Sequence, residues 1–125
     1  IISLIFTRFL LERLLMNLSA KEYGDIIVIY LQGSLDAVSV PSVQEYLEQF
    51  IQKKHLKIAL NFTDVSYISS AGIRLLLSNF KLVQSLGGKM CLCCVKESVT
   101  EVMRIAGLDQ LILLCQSEQE CLSKL

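Results

Sequence analysis

Histidine, the side chain best suited to move protons at neutral pH, occurs once in these 125 residues, at His55. There is no glycine-rich phosphate loop of the P-loop type, and no full metal-ligand set of paired Cys-x-x-Cys or Cys/His type. An excess of charge is missing as well: Lys+Arg and Asp+Glu both number 12, for a formal net charge of zero. Without a basic field or an acidic tail, direct nucleic-acid binding is disfavoured. No linker, repeat or low-complexity run divides the chain. Together these gaps argue against an enzyme, a metal protein or a cofactor carrier, so neither catalytic residues, metal ligands nor a cofactor are expected. The five cysteines, Cys91, Cys93, Cys94, Cys115 and Cys121, are odd in number and bunched, unlike a secreted disulfide framework. They are expected to be buried thiols acting as small hydrophobes, in keeping with a reducing cytoplasm.

Apolar residues make up 53% and charged residues 19%, a composition that excludes disorder and supports one domain with a single core. Residues 1–15 are apolar nearly all round but broken by Arg8, Glu12 and Arg13. That run is short of the ~20 apolar residues that span a bilayer, and it lacks the basic start and cleavage site of a signal peptide. It reads as an extension, either sequence upstream of the true start or an expression remnant, in preference to a native helix over an apolar surface. The domain proper is expected over 16–125.

Residues 18–23 read as an edge strand, Gly24-Asp25 as a turn, and Ile26–Leu31 as a strand buried on both faces. A helix follows from Ser39-Val40-Pro41-Ser42, with Val43, Tyr46, Leu47, Phe50 and Ile51 at helical spacing. Residues 57–62 form the next buried strand. A second helix carries Ile73, Leu76, Leu77, Phe80 and Val83 on one face and stops at Gly87-Gly88. Residues 89–95 are a third buried strand, 98–105 a short helix, 111–115 a last strand, and Ser117 the cap of a final helix. Strands alternating with helices imply an α/β fold with a mostly parallel sheet.

Between the second buried strand and the second long helix lies Ser69-Ser70, followed by the small residues Ala71-Gly72. On spacing alone the pair is a helix cap. The free N–H groups and positive dipole end of the helix start would also tolerate a phosphate.

The run Asp64-x-Ser66-x-Ile68-x-Ser70-x-Gly72-Ile73 resembles the signature of the STAS domain of bacterial anti-sigma factor antagonists. Gly33-Ser34-Leu35-Asp36 resembles the Gly-x-Leu-Asp that ends that family's first buried strand. The likeness extends over nearly everything from Met16 onward. It implies a STAS-type single domain: a mixed, mostly parallel sheet of four to five strands packed with about four helices.

The same resemblance implies a function. Ser70 stands at the serine phosphorylated by an anti-sigma factor that is also a serine kinase, with Ser69 as the runner-up. Asp36 stands at the family's aspartate near that serine. The residue before Ser70 is acidic in the best-known members and the one after it carries a hydroxyl, whereas here they are Ser69 and Ala71. Unphosphorylated, the protein would bind the anti-sigma factor and release a sigma factor for transcription in the cytoplasm, and a serine phosphatase would restore it. The expected contact set is Asp36, Ser69, Ser70, Ala71, Gly72, Arg74, Leu75 and Ser78. On a helical wheel Leu75, Leu82 and Leu86 fall away from the Ile73/Leu77/Phe80 face, either as a partner-facing stripe or as a seat for the last helix. A second reading keeps the fold and makes the protein a regulatory or scaffold subunit of a membrane transporter or stressosome-like assembly.

Overall fold

The computed structural model describes residues 16–125, so the extension expected over 1–15 lies outside the described residues. The described residues open with a hairpin: β1 (Asn17–Tyr23) runs antiparallel to β2 (Ile26–Leu35) and turns through Gly24-Asp25, with Tyr23 opposite Ile26. Gly24 has φ +64, a conformation glycine adopts without a steric cost. From β2 onward the strands are parallel, and each crossover carries a helix. α1 (Val40–Gln52) leads to β3 (Lys57–Ile68), α2 (Ser70–Ser85) to β4 (Lys89–Cys93), and α3 (Glu97–Ile105) with a 3-10 turn (Leu108–Gln110) to β5 (Leu113–Cys115). α4 (Glu118–Lys124) follows. The result is the expected mixed sheet, with five strands in the order β1-β2-β3-β4-β5 and four helices among the described residues.

Period-2 alternation splits the sheet's residues between two cores. Ile27, Ile29 and Leu31 of β2, Ile58, Leu60 and Phe62 of β3, and Met90 and Leu92 of β4 join Val43, Leu47, Leu76, Val83 and Met103 of α1, α2 and α3. The intervening positions are smaller: Val28, Ala59, Cys91 and Cys93 meet Cys115 and Cys121 in a second cluster. Large side chains lie under three helices, and small ones under the single short helix α4.

Three findings depart from the sequence reading. β3 does not stop at Phe62 but continues to Ile68. Two register shifts against β2, between Tyr30 and Gln32 and between Gly33 and Ser34, insert extra residues in β3, so the buried positions beyond Phe62 are Val65 and Ile68, three apart. The Asn61 side chain shapes the first irregularity: its Oδ1 accepts from Thr63 N at 2.9 Å and from Thr63 Oγ1 at 2.6 Å.

The second departure is the rotation of α2. Its buried residues are Gly72, Leu75, Leu76, Asn79 and Val83, while Ile73, Leu77 and Phe80 are half-buried. The turn follows from a reciprocal amide pair between helices: Asn79 Nδ2 donates to Gln44 Oε1 at 2.7 Å, and Gln44 Nε2 donates to Asn79 Oδ1 at 3.3 Å. Leu75 is therefore only 4% exposed, and its expected place in an outward stripe is corrected. The last helix does not cover that stripe: α4 packs with the small-residue cluster on the other face of the sheet.

The third departure concerns cysteine. Cys91 and Cys121 form a disulfide, whereas Cys93, Cys94 and Cys115 are free thiols. The expectation of five thiols holds for three.

Asn79→Ala should destabilise the fold by about 1–3 kcal/mol, because it strands the Gln44 amide between two helices. A urea midpoint lowered at unchanged m-value would register this as a loss of packing alone.

Candidate functional site

The ends of β2 and β3 form one rim of the molecule. Parallel pairing sets Ser34 beside Tyr67 and Leu35 beside Ile68. Just past that pair, Ser69 N–H donates to the Leu35 carbonyl at 2.9 Å. The Gly-x-Leu-Asp strand end and the Ser-Ser turn, 33 residues apart in the chain by the numbering of Asp36 and Ser69, are thus laced together by backbone.

The two serines are not equivalent. Ser69 is the N-cap of α2, extended at φ −99 and ψ 176, and its Oγ accepts from Gly72 N–H at 3.4 Å. Ser70 is the first helical residue and is exposed, and among the described residues its hydroxyl makes no hydrogen bond. The amides of Ser70 and Ala71 belong to the first turn and have no intrahelical acceptor. They place N–H groups and the positive end of a 16-residue helix at the Ser70 hydroxyl.

Gly72 fixes how close α2 comes to β2. A Cβ there would lie 2.7 Å from the Leu35 carbonyl oxygen, 2.8 Å from Ile68 Cγ1 and 2.9 Å from Leu35 Cγ. Gly72 is itself buried, so it positions the turn and offers no contact surface. The far end of α2 closes in a Schellman motif: Gly87, at φ +83, donates to Gln84 O at 3.0 Å and Gly88 N–H to Val83 O at 2.8 Å.

The Asp36 carboxylate holds its own loop. Its Oδ1 accepts from Val38 N at 3.0 Å and Ser39 N at 3.1 Å. The fully buried Ser39 answers by accepting from Asp36 N at 3.0 Å and donating to Ser34 O at 2.7 Å. Asp36 thus shapes the loop beside the Ser-Ser turn, and among the described residues it makes no hydrogen bond to either serine.

Along α2, Ser70, Arg74, Ser78 and Leu82 recur every fourth position and are all exposed, and Leu86 extends the line at 51% exposure. Ser78 Oγ donates to the Leu75 carbonyl at 3.1 Å, which leaves Arg74 as the charged group on the first two turns. Two apolar side chains that the sequence reading missed, Val38 and Tyr67, stand exposed at 56% and 54% on the two segments that form the rim. Tyr67 could have been found from alternation with Ile68. Nothing in the sequence marked Val38, whose exposure comes from the Asp36–Ser39 loop.

Among the described residues, no side chain of the rim accepts a hydrogen bond from the Ser70 hydroxyl. His55 sits edge-on to Phe50 at 6.1 Å, before the start of β3, and the 12 residues of that strand separate it from the rim by roughly 40 Å.

Residues 17–121 match the family described as the STAS domain. An anti-sigma-B factor antagonist of Bacillus subtilis is 30% identical over 98 residues, covering 78% of this chain and 88% of the relative. In fold, the chain is similar to an anti-sigma factor antagonist from Mycobacterium paratuberculosis, with TM-score 0.79, 14% identity and coverage of 87% of this chain and 92% of that one. It is similar also to the Bacillus cell fate determinant SpoIIAA in the phosphorylated form, with TM-score 0.68, 21% identity and coverage of 86% and 98%.

Two substitutions separate the roles at the helix start. Gly72→Ala should cost about 1–3 kcal/mol through overpacking against Leu35 and Ile68. Ser69→Ala should cost about 0.5–2 kcal/mol through loss of the cap. Ser70→Ala should change the thermal midpoint little, and a loss equal to that of Ser69→Ala would contradict this division.

Proposed function

Because this chain belongs to the STAS domain family, we propose that it is an anti-sigma factor antagonist switched by phosphorylation of Ser70. The observation that carries the reading is the inequality of the two serines: Ser69 is engaged in the cap, while the Ser70 hydroxyl is exposed and unbonded. The unmodified protein docks on an anti-sigma factor through the rim and the exposed line of α2, using Ser70, Ala71, Arg74, Ser78 and Leu82. Val38 and Tyr67 supply apolar area beside it. Asp36, Ser69 and Gly72 hold the backbone of that surface. The protein acts by binding, in the cytoplasm, and the anti-sigma factor's release of its sigma factor is the output.

The same partner is the serine kinase. Phosphorylation adds about −1.5 to −2 charges at neutral pH. At the first helical position this charge meets the amides of Ser70 and Ala71 and the helix dipole, so the fold tolerates it. Arg74, one turn on, lies within reach as a phosphate partner. A phosphate on Ser70 therefore places a strongly hydrated anion in a contact that must desolvate and draws Arg74 away from the partner. A penalty of ~3 kcal/mol corresponds to more than a hundredfold weaker binding. A serine phosphatase reverses the switch.

Intact-mass and site-mapping analysis after incubation with ATP and candidate anti-sigma kinases tests the reading. One phosphate on Ser70 is expected, lost in Ser70→Ala and kept in Ser69→Ala. Ser70→Ala should still bind the anti-sigma factor, and Ser70→Asp should bind at least about tenfold more weakly. Continued phosphorylation of Ser70→Ala would overturn the site. Failure with every active kinase would leave the phosphate-independent scaffold as the better account.

A further inference from the structure

Behind the rim, on the face of the sheet covered by α4, sulfur atoms from three elements converge. The Sγ atoms of Cys91 on β4, Cys115 on β5 and Cys121 on α4 all lie within 4.8 Å of one another, and all three residues are buried. Cys91 and Cys94 have the Cys-x-x-Cys spacing, yet the partner of Cys91 is Cys121, 30 residues on. The bridge ties α4 to the sheet. α4 also reaches β3: Glu118 Oε1 accepts from Asn61 Nδ2 at 3.1 Å. That same Asn61 amide holds Thr63 N and Oγ1 through its oxygen and so sets the irregular pleat of β3. The strand then runs on to Ile68 and delivers Ser69 to the rim.

We propose that Cys91 and Cys121 are a reversible oxidation site for small peroxides, and that their disulfide fastens α4 and, through Glu118 and Asn61, stiffens the β3 segment that carries the Ser69-Ser70 turn. The functional consequence rests on reading that turn as the docking site, whereas the chemistry does not.

Cys91, though buried, is the member of the pair that a surface groove reaches, and it meets the oxidant first. It lines a groove of about 210 Å³ together with Gly88, Lys89, Leu111, Leu113 and Lys124. Peroxide is small enough to enter, and the lysines give the groove the cationic character in which cysteines react as thiolates. The Cys91 thiolate attacks one peroxide oxygen, the O–O bond breaks, and the departing hydroxide takes a proton to become water. Cys121 then attacks the Cys91 sulfenic sulfur, the S–O bond breaks, and a second water leaves as the S–S bond forms. Two sulfurs have lost two electrons and one peroxide has gained them. A dithiol reductant reverses the step: one thiolate attacks Cys121 and Cys91 leaves as a thiolate, then the reductant's second thiolate attacks its own sulfur in the mixed disulfide and expels Cys121 as a thiolate. The neighbouring thiols stay out of the exchange. Burial and the adjacent Cys94 push Cys93 up to about 12, and burial also raises Cys115; Cys91 is as deeply buried and differs in having both Lys89 and Lys124 in its groove.

The test uses the whole chain, reduced, then treated with one equivalent of hydrogen peroxide, alkylated and mapped by peptide mass. The expected product links the Cys91 and Cys121 peptides, with Cys93, Cys94 and Cys115 alkylated. Amide hydrogen exchange on the reduced and oxidised forms should show α4 and residues 63–69 slowed by about tenfold or more on oxidation. In Asn61→Ala, oxidation should still slow α4 but no longer slow 63–69. A bridge that fails to form, a bridge to another cysteine, or equal exchange of 63–69 in the two forms would overturn the proposal. The comparison of reduced with oxidised wild type needs no variant to fold. No kinase or partner enters the experiment, so its failure would count against the latch and leave the docking reading untouched.

Discussion

The close approach of the first turn of α2 to the end of β2 is the constraint on which the rest of the rim depends. It exists because position 72 has no side chain: any Cβ would lie under 3 Å from the Leu35 carbonyl and from two side chains. Given that approach, Ser69 N–H can bond the Leu35 carbonyl, the Asp36 loop comes to rest beside the serine turn, and the Ser70 hydroxyl is carried outward. The site is thus made of backbone geometry first and side chains second. Its chemically exposed groups are few, which suits a surface read by another protein better than one that performs chemistry.

Around this rim the sheet is built asymmetrically. Leucine, isoleucine, phenylalanine and methionine fill the side under α1, α2 and α3, whereas valine, alanine and cysteine line the side under α4. Small side chains let the seven-residue helix lie close to the sheet, and cysteine supplies them as a small apolar residue. The thick side holds the long helix steady from below through Leu75, Leu76 and Val83, so its opposite edge is free to be a surface.

Much of this was legible in the chain. Alternating apolar runs and helical spacing gave the element order, and Gly24, Ser117 and Gly87 announced local geometry that the structure repeats. The end of β3 was hidden because the pleat irregularities put Phe62, Val65 and Ile68 three apart, a spacing that belongs to neither a plain strand nor a helix. The rotation of α2 was hidden because Asn79 and Gln44 are polar and their pairing is 35 residues long-range, so a wheel drawn from hydrophobicity found Leu76 and Val83 but set Leu75 on the outward side. The cysteines were misjudged for a related reason: a strand pattern says that Cys91 points inward but not which distant residue it meets there. At the rim, the Ser-Ser-Ala-Gly motif marked the place. The division of labour between its serines needed the cap bond to be seen.

The order of strands across the sheet has a consequence for how the molecule comes into being. Each strand lies beside its predecessor in the chain, so no parallel pair waits for a segment not yet made. Loop closures between successive partners stay short, and native contacts accumulate in the direction of synthesis. The hairpin forms the first edge and every later strand extends it by one. A nascent chain that has completed α3 has most of the material for its large-residue core, and its small-residue face is closed later. Assembly from the ribosome can therefore proceed by accretion, with α4 as the final stone set in place.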